Sequence, residues 1–419
     1  MRKNLNKIVA FAIGVSVISG LAIPVMADTK VTYANSDSTN QNNTKQVLTL
    51  EDAIKNAIAN SDTLKLYDKK INYQNQINNA NETLDKYKDL DSDTDDYNDD
   101  LRELTLNQLK QEKEFEEDKL IKKVTDSYNN LVSSQIQIDN LEKQIEIQNK
   151  KFNDTKLMNT LGLTTSLDTQ EFDISIQTLN NNIKLLKDNL KNYRDSFKTL
   201  TSMDLNNYSL DQNIKYDVFR IDGSIDEYLD GVLETYLTYN EQRIKLNKDY
   251  LDDNKVDEPD KFTGKKPERN QYTSDPEGTE NGQTADEKYE KDLAKYESEL
   301  DLYSKKMNGR ITYLQSKLSL FEGENTLNEN KKDLKDALKS YYSLLISKEN
   351  DINLLQQKID LSNKKLRIAK LKYDLGTSTK TDYDKSILDS SNLNLELIQA
   401  IISYNQTKEK IEKPWIGLS

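Results

Sequence analysis

Apolar positions recur along this chain at alternating steps of three and four. Ile176, Leu179, Ile183, Leu186, Leu190, Tyr193, Phe197 and Leu200 form one such row. Its mean repeat of about 3.5 residues predicts a helix packed with left-handed supercoiling. Leu120, Val124, Tyr128, Leu131, Ile138, Leu141, Ile145 and Phe152 follow the same rule in the helix before it. Between the two, Leu161-Gly162 supplies a glycine suited to a left-handed C-cap. Thr165 or Ser166 can then cap the next helix, with Asp168 favourable in its first turn. Leu375-Gly376, Thr379 and Asp382 repeat that punctuation, and Pro414 stops the last long helix. This last helix carries two rows, one through Leu393, Leu397, Ala400 and Tyr404 and one through Leu388, Leu395, Ile398 and Ile402. One intrachain neighbour would cover only one row. The pattern therefore predicts a multi-helix wall, with a second copy supplying cover; a simple antiparallel coiled coil is the plainer alternative.

The two punctuated turns belong to a repeat. Gly162 and Gly376 lie 214 residues apart, and the same offset pairs Tyr128 with Tyr342, Leu131 with Leu345 and Ile145 with Ile359. It pairs Asn149-Lys150-Lys151 with Asn363-Lys364-Lys365 and runs without a gap to Leu179 and Leu393. Self-similarity at one fixed spacing marks a duplicated structural unit. Upstream, Leu50-Glu51-Asp52 aligns with Ile225-Asp226-Glu227 at an offset of 175, so the second half holds 39 more residues. They fall at about 253–291, where Pro259, Pro267, Pro276, Gly264, Gly278 and Gly282 among charges predict a solvated loop insertion. The expected organisation is a signal peptide at 1–27, a flexible N-terminus at 28–47 and a first helical repeat at 48–204. A linker follows at 205–223, then a second repeat at 224–413 containing the insertion, and a tail at 414–419.

Composition narrows the class. Charged residues make up 31% and apolar ones 35%, with a mean hydropathy of -0.86, which suits long thin helices that bury a stripe and wet the rest. The net charge of -13 argues against nucleic acid as a partner. With no Cys and no His, thiol catalysis, imidazole bases and zinc-finger sites are excluded. Nothing converges on a nucleophile or base, so no enzymatic activity and no cofactor are expected. Arg2, Lys3 and Lys7, the apolar run from Ile8 to Ile23 and Val25-Met26-Ala27 read as an export signal cleaved after Ala27. No later segment could span a membrane as a helix, so the mature chain is expected in the cell envelope or at the cell surface, outside the cytoplasmic membrane.

The turn sequences are LGLTTSLD from Leu161 to Asp168 and LGTSTKTD from Leu375 to Asp382. They resemble the paired G-L-x4-D and G-T-x4-D turns of TolC-family conduits, in the same order. The opening LTLEDAIKNAIANSDTLK from Leu48 resembles that family's L-T-L-x-x-A-I start, and Leu320-Phe321-Glu322-Gly323 its L-F-D-G-G segment. The resemblance runs from about Leu48 to Ile411. It implies an all-α fold of duplicated long antiparallel helical hairpins with coiled-coil packing, a TolC-like α-barrel protomer. It also implies a homotrimer closing a helical tunnel that works with an adaptor and an inner-membrane exporter. By this resemblance Gly162, Leu163, Gly376 and Thr377 would dock the adaptor. Tyr373 would match a gate Tyr, Asp168 its first-turn partner, and Asp382 an Asp ringing the entrance. Two positions depart: Ser378 stands where the family carries Arg, and Lys385 where a second Asp ring is expected.

Family members continue the tunnel with a membrane barrel, inserting a β-hairpin in each half. A lipid-facing strand needs about ten residues of alternating apolarity. The first insertion point holds only DLDSDTDDYNDD, Asp89 to Asp100, and the second only the polar insertion. No membrane β-barrel is expected, which suits a bacterium with a single membrane. Asp91, Asp93, Asp95 and Asp99 alternate like Ca²⁺-loop ligands, but Asp96 and Arg102 stand where such a loop needs Gly and Glu; a solvated helix-helix tip is the default there. The leading function is a TolC-like efflux or secretion conduit component. The alternative is a structural or adhesive coiled-coil protein of the cell surface without transport activity.

Overall fold

The computed structural model describes residues 46–88, 90–273 and 284–417. The expected export signal, residues 28–45, Asp89, the centre of the insertion and the last two residues lie outside the described residues. The fold is all-α, as the periodicity predicts. The helices are α1 (Leu50–Asn60), α2 (Asp62–Asp85), α3 (Ser92–Thr160) and α4 (Ser166–Thr201) in the first half. In the second they are α5 (Ile225–Asp253), α6 (Ala285–Asp374), α7 (Lys380–Glu412) and the short α8 (Pro414–Gly417). Among the described residues the only strands are β1 (Gln46–Leu48) and β2 (Tyr208–Leu210), paired in parallel. Neither insertion point forms a strand within the described residues, and no described helix is long and apolar enough to cross a membrane.

One compact unit comprises described residues 46–70, 110–236 and 333–417. Its first-half core gathers Leu48, Ala53 and Ala57 with Val124, Tyr128, Leu131 and Val132 of α3 and Leu190 and Phe197 of α4. The hydroxyl of Tyr128 lies 2.8 Å from the Leu48 carbonyl and 2.9 Å from that of Asp211. It thus ties β1 and the residue after β2 to α3. Burial pushes the Tyr128 phenol up to about 12, so it is a neutral donor there. The expected flexible N-terminus therefore ends earlier than Val47: Gln46 and Val47 already lie in β1. The expected linker likewise contains β2, and a 3-10 turn at Leu205–Asn207. Three-residue strands carry too little alternation to register in a sequence pattern.

The duplicated helices α4 and α7 are buried very differently. From Tyr383 to Glu412 only Lys385, Asp389 and Asn394 are exposed, whereas most of α4 is exposed. Both faces of α7 make contacts inside one chain. Leu388 packs on Ile147 of α3, Asn392 and Gln406 bond Asn140 and Asp126 of α3, and Ser403 accepts from Lys348 of α6. The Tyr404 hydroxyl accepts the Phe219 amide at 2.8 Å. Of the two rows, Leu388, Leu395 and Tyr404 are buried within one chain and the others are half-buried, so neighbours inside the chain supply part of the cover. Beyond Pro414, Trp415 stacks on Phe115 with ring centroids 4.3 Å apart and donates to Asp118.

The other unit comprises described residues 71–109 and 237–332. Tyr97 of α3 stacks on Tyr250 of α5 with centroids 4.2 Å apart, and its hydroxyl donates to Asn247 at 2.8 Å. Leu251, Tyr313 and Leu320 form a small core with Val256 of the insertion against it. Phe262 packs against Tyr296 and Tyr303 of α6. The insertion is therefore less loop-like than its composition suggests: residues 285–291 open α6, and Val256, Phe262 and Tyr272 pack against α6 side chains. The LFEG segment from Leu320 to Gly323 sits inside α6, with Leu320 buried and Phe321 exposed.

Candidate functional site

The paired turns are built alike, atom by atom. At the end of α3 the Gly162 amide donates to Asn159 O at 2.9 Å and the Leu163 amide to Met158 O at 2.9 Å. At the end of α6 the Gly376 amide donates to Tyr373 O and the Thr377 amide to Lys372 O, both at 2.9 Å. Each is a Schellman C-cap that satisfies two orphan carbonyls and places its glycine in the left-handed region. Gly162 has φ 74° and Gly376 φ 72°, and a Cβ at either would meet no atom within 4 Å. Space is free at both; only backbone strain demands glycine.

The helices that leave the turns open on matching capping boxes, Thr165 with Asp168 and Thr379 with Asp382. The Thr165 amide donates to Asp168 Oδ2 at 2.8 Å and the Asp168 amide returns to Thr165 Oγ1 at 3.4 Å. The corresponding distances are 3.4 Å and 3.1 Å in the second turn. The Thr165 amide and then its hydroxyl hold Asp168 below the usual carboxylate range. The Thr379 hydroxyl and amide do the same for Asp382, with Lys151 and Lys385 adding positive potential. Leu161, Leu163, Leu167 and Leu375 stand exposed around these caps, an apolar surface of the kind that meets other proteins.

The structure also says which expected residues meet. Asp168 and Tyr373 are not joined within one chain. The Asp168 carboxylate is engaged by Thr165, and Tyr373 stacks face to face on Tyr383 at 5.5 Å and 6°. Sequence reasoning missed Asp384. It is held between Lys150 of α3 and Lys380 of its own first turn, each at 3.2 Å, which links the two hairpins beside the turns. The signal for it was present in the repeat, because Lys150 sits in the matched Asn-Lys-Lys triplet. The weak Ca²⁺ reading disperses on a helix. Asp91 accepts from Thr94 at the start of α3, Asp93 from Ser92, and Asp99 pairs with Arg102. Asp93, Asp95 and Asp99 are helical; two residues along a helix turn about 200°, which sets Asp93 away from Asp95, while Asp95 and Asp99, four apart, share a face. Among the described residues no group of three or more carboxylates is placed to hold a metal. The solvated tip is correspondingly shorter than Asp89 to Asp100, since α3 begins at Ser92.

No known family profile matches this sequence, and no curated protein sequence matches it either. Solved structures do match. CusC, described in terms of folding and transmembrane channel formation, aligns over 94% of this chain and 99% of its own at TM-score 0.52 and 11% identity. This is the fold of channel proteins. The outer-membrane channel OprN aligns at TM-score 0.52 and 12% identity over 94% of this chain and 98% of its own. The outer membrane protein VceC of Vibrio cholerae aligns at TM-score 0.52 and 11% identity over 87% and 96%. At such identities the shared property is the TolC-like helical fold itself.

Proposed function

We propose that the chain is a component of a TolC-like export conduit, located in the cell envelope outside the cytoplasmic membrane. In this reading it assembles as a homotrimer and works with an adaptor protein and an inner-membrane exporter. The observation that carries the reading is the pair of matched, capped and exposed turns at Gly162 and Gly376, set on a fold whose solved relatives include outer-membrane channels. Two equivalent turns per chain would present a repeating docking surface. Gly162, Leu163, Gly376 and Thr377 would contact the adaptor, and Asp168, Tyr373 and Asp382 would line the entrance. The reading assigns no catalysis and no cofactor.

Photo-crosslinkers placed at Leu163 and Thr377 in living cells test it. Both should trap one envelope partner, identifiable by mass spectrometry as an adaptor. Trapping from Asp93 or Asp95 at the far end of α3, with none from the turns, would reverse the polarity of the reading. The surface-scaffold alternative draws support from the want of membrane-length strands among the described residues. A cell lacking this chain that keeps all export activity would favour the scaffold.

A further inference from the structure

Besides its apolar row, α4 carries a row of cations. Lys184, Lys187, Lys191, Arg194 and Lys198 recur at steps of three, four, three and four, so they share one face of the helix over about 21 Å. All five are exposed, and they run against the chain's net charge of -13. The last four line an open groove of about 650 Å³ between α3, α4 and the 3-10 turn at Leu205–Asn207. Glu142 of α3 holds Lys187 at 2.6 Å, and Asp204 holds Lys198 at 2.8 Å. Asp195 adds negative potential at Lys198. Between these pairs, the side chains of Lys191 and Arg194 belong to no ion pair or hydrogen bond among the described residues.

The internal repeat shows what the same face holds in the other half. At the offset of 214, Leu190, Lys191 and Arg194 correspond to Tyr404, Asn405 and Lys408 of α7. There the chain lays its own residues 215–219, neither helix nor strand, across the helix. Asn405 donates to the Lys215 carbonyl at 2.9 Å, the Tyr404 hydroxyl accepts the Phe219 amide, and Lys408 lies over the Phe219 ring. The face is thus a seat for a thin length of chain, and on α4 its grip is cationic. The apolar lining residues Ile138, Leu190 and Leu205 are buried, so the groove lacks the exposed apolar centre that protein interfaces use. None of the described lining residues is aromatic, so no platform exists there for stacking bases. We propose that this groove binds a linear polyol-phosphate chain, a phosphodiester polymer of the cell envelope, with Lys191 and Arg194 gripping its phosphates. Lys187 and Lys198 join them by exchanging Glu142 and Asp204 for phosphate, since both pairs are about half exposed and such pairs hold weakly. Arg194 lies 28 residues beyond Ser166 on α4, about 42 Å from the first turn. The site therefore goes beyond the conduit reading: it would moor the chain in the envelope and leave the turns free.

Titrating the full chain, exported by its own cells, with poly(glycerol phosphate) tests the site. Binding should weaken steadily as salt is added. Lys191→Glu with Arg194→Glu should lower the affinity about tenfold or more while helicity persists, because both side chains are exposed. Lys364→Glu with Lys365→Glu, an equal change of charge on exposed positions of α6, should leave the affinity unchanged. Equal losses in the two variants would reduce the effect to net charge and overturn the groove. Poly-glutamate or single-stranded DNA bound as tightly as poly(glycerol phosphate) would overturn the phosphodiester assignment. Binding seen only after removal of residues 28–45 would place the chain's own N-terminal segment in the groove and overturn the proposal. Sedimentation with isolated cell walls, or with membrane vesicles bearing the lipid-linked polymer, tells a wall-anchored source from a lipid-anchored one. Retention by neither would overturn the mooring role.

Discussion

At the residue scale, the glycines of the two turns act through backbone geometry and the threonines through their capping hydroxyls. Replacing Gly162 or Gly376 by Val should destabilise the chain by only about 1–3 kcal/mol each, because the strain of a left-handed non-glycine is local and no atom opposes the new Cβ. Urea unfolding checks the magnitude, and capture of the adaptor should fail while helicity persists. Thr165→Ala removes one capping box at a cost of about 1 kcal/mol. The caps also set a direction in pH. Asp168 and Asp382 both lie below the usual carboxylate value of 3.8 in the folded chain. Their charged forms are favoured by folding, so this stabilisation is complete above the ordinary value and is lost as pH falls through the lowered one. Amide exchange in the first turns of α4 and α7 should quicken across that acid window. Asp168→Asn and Asp382→Asn should remove the pH dependence there; unchanged profiles would show that the caps do not report on these carboxyls.

At the element scale, the two long helices α4 and α7 began as one sequence pattern and ended in different surroundings. Leu395 of α7 is fully buried and Leu185 of α4 is exposed. Leu395→Ala should therefore destabilise the chain by about 2–5 kcal/mol. Leu185→Ala should stay within about 0.5 kcal/mol in dilute, unassembled chain. Equal effects measured by urea unfolding would contradict the asymmetry. The boundaries of both helices were legible because caps are local. A Gly in the left-handed region, a Thr at the N-cap and an Asp three residues on identify an end without reference to the rest of the fold. The second row on α7 was equally legible as a row. Its partner was not, since periodicity names a buried face and leaves the covering element open.

At the scale of the whole molecule, circular dichroism should show a helix-dominated spectrum, with the mature chain remaining in solution without detergent. Light scattering should give about three protomers if the chain assembles as the proposed conduit requires. A species that stays monomeric at every concentration would point to the surface scaffold. The sequence by itself determined the helical class, the duplication, the matched turns and the want of lipid-facing strands. All of these follow from spacings of three, four and 214 residues and from the chemistry of Gly, Thr and Asp at helix ends. Only the tertiary structure decided that α3 packs on α7, that β1 pairs with β2 beside Tyr128, and that Asp384 sits between Lys150 and Lys380. It also showed Asp93 and Asp95 turned apart by the first turn of α3. The physical reason is one of range. A helix and its caps are specified by neighbours within about one turn. Which face meets which helix depends on side chains hundreds of residues apart, and the duplication makes the candidate partners nearly alike until packing distinguishes them.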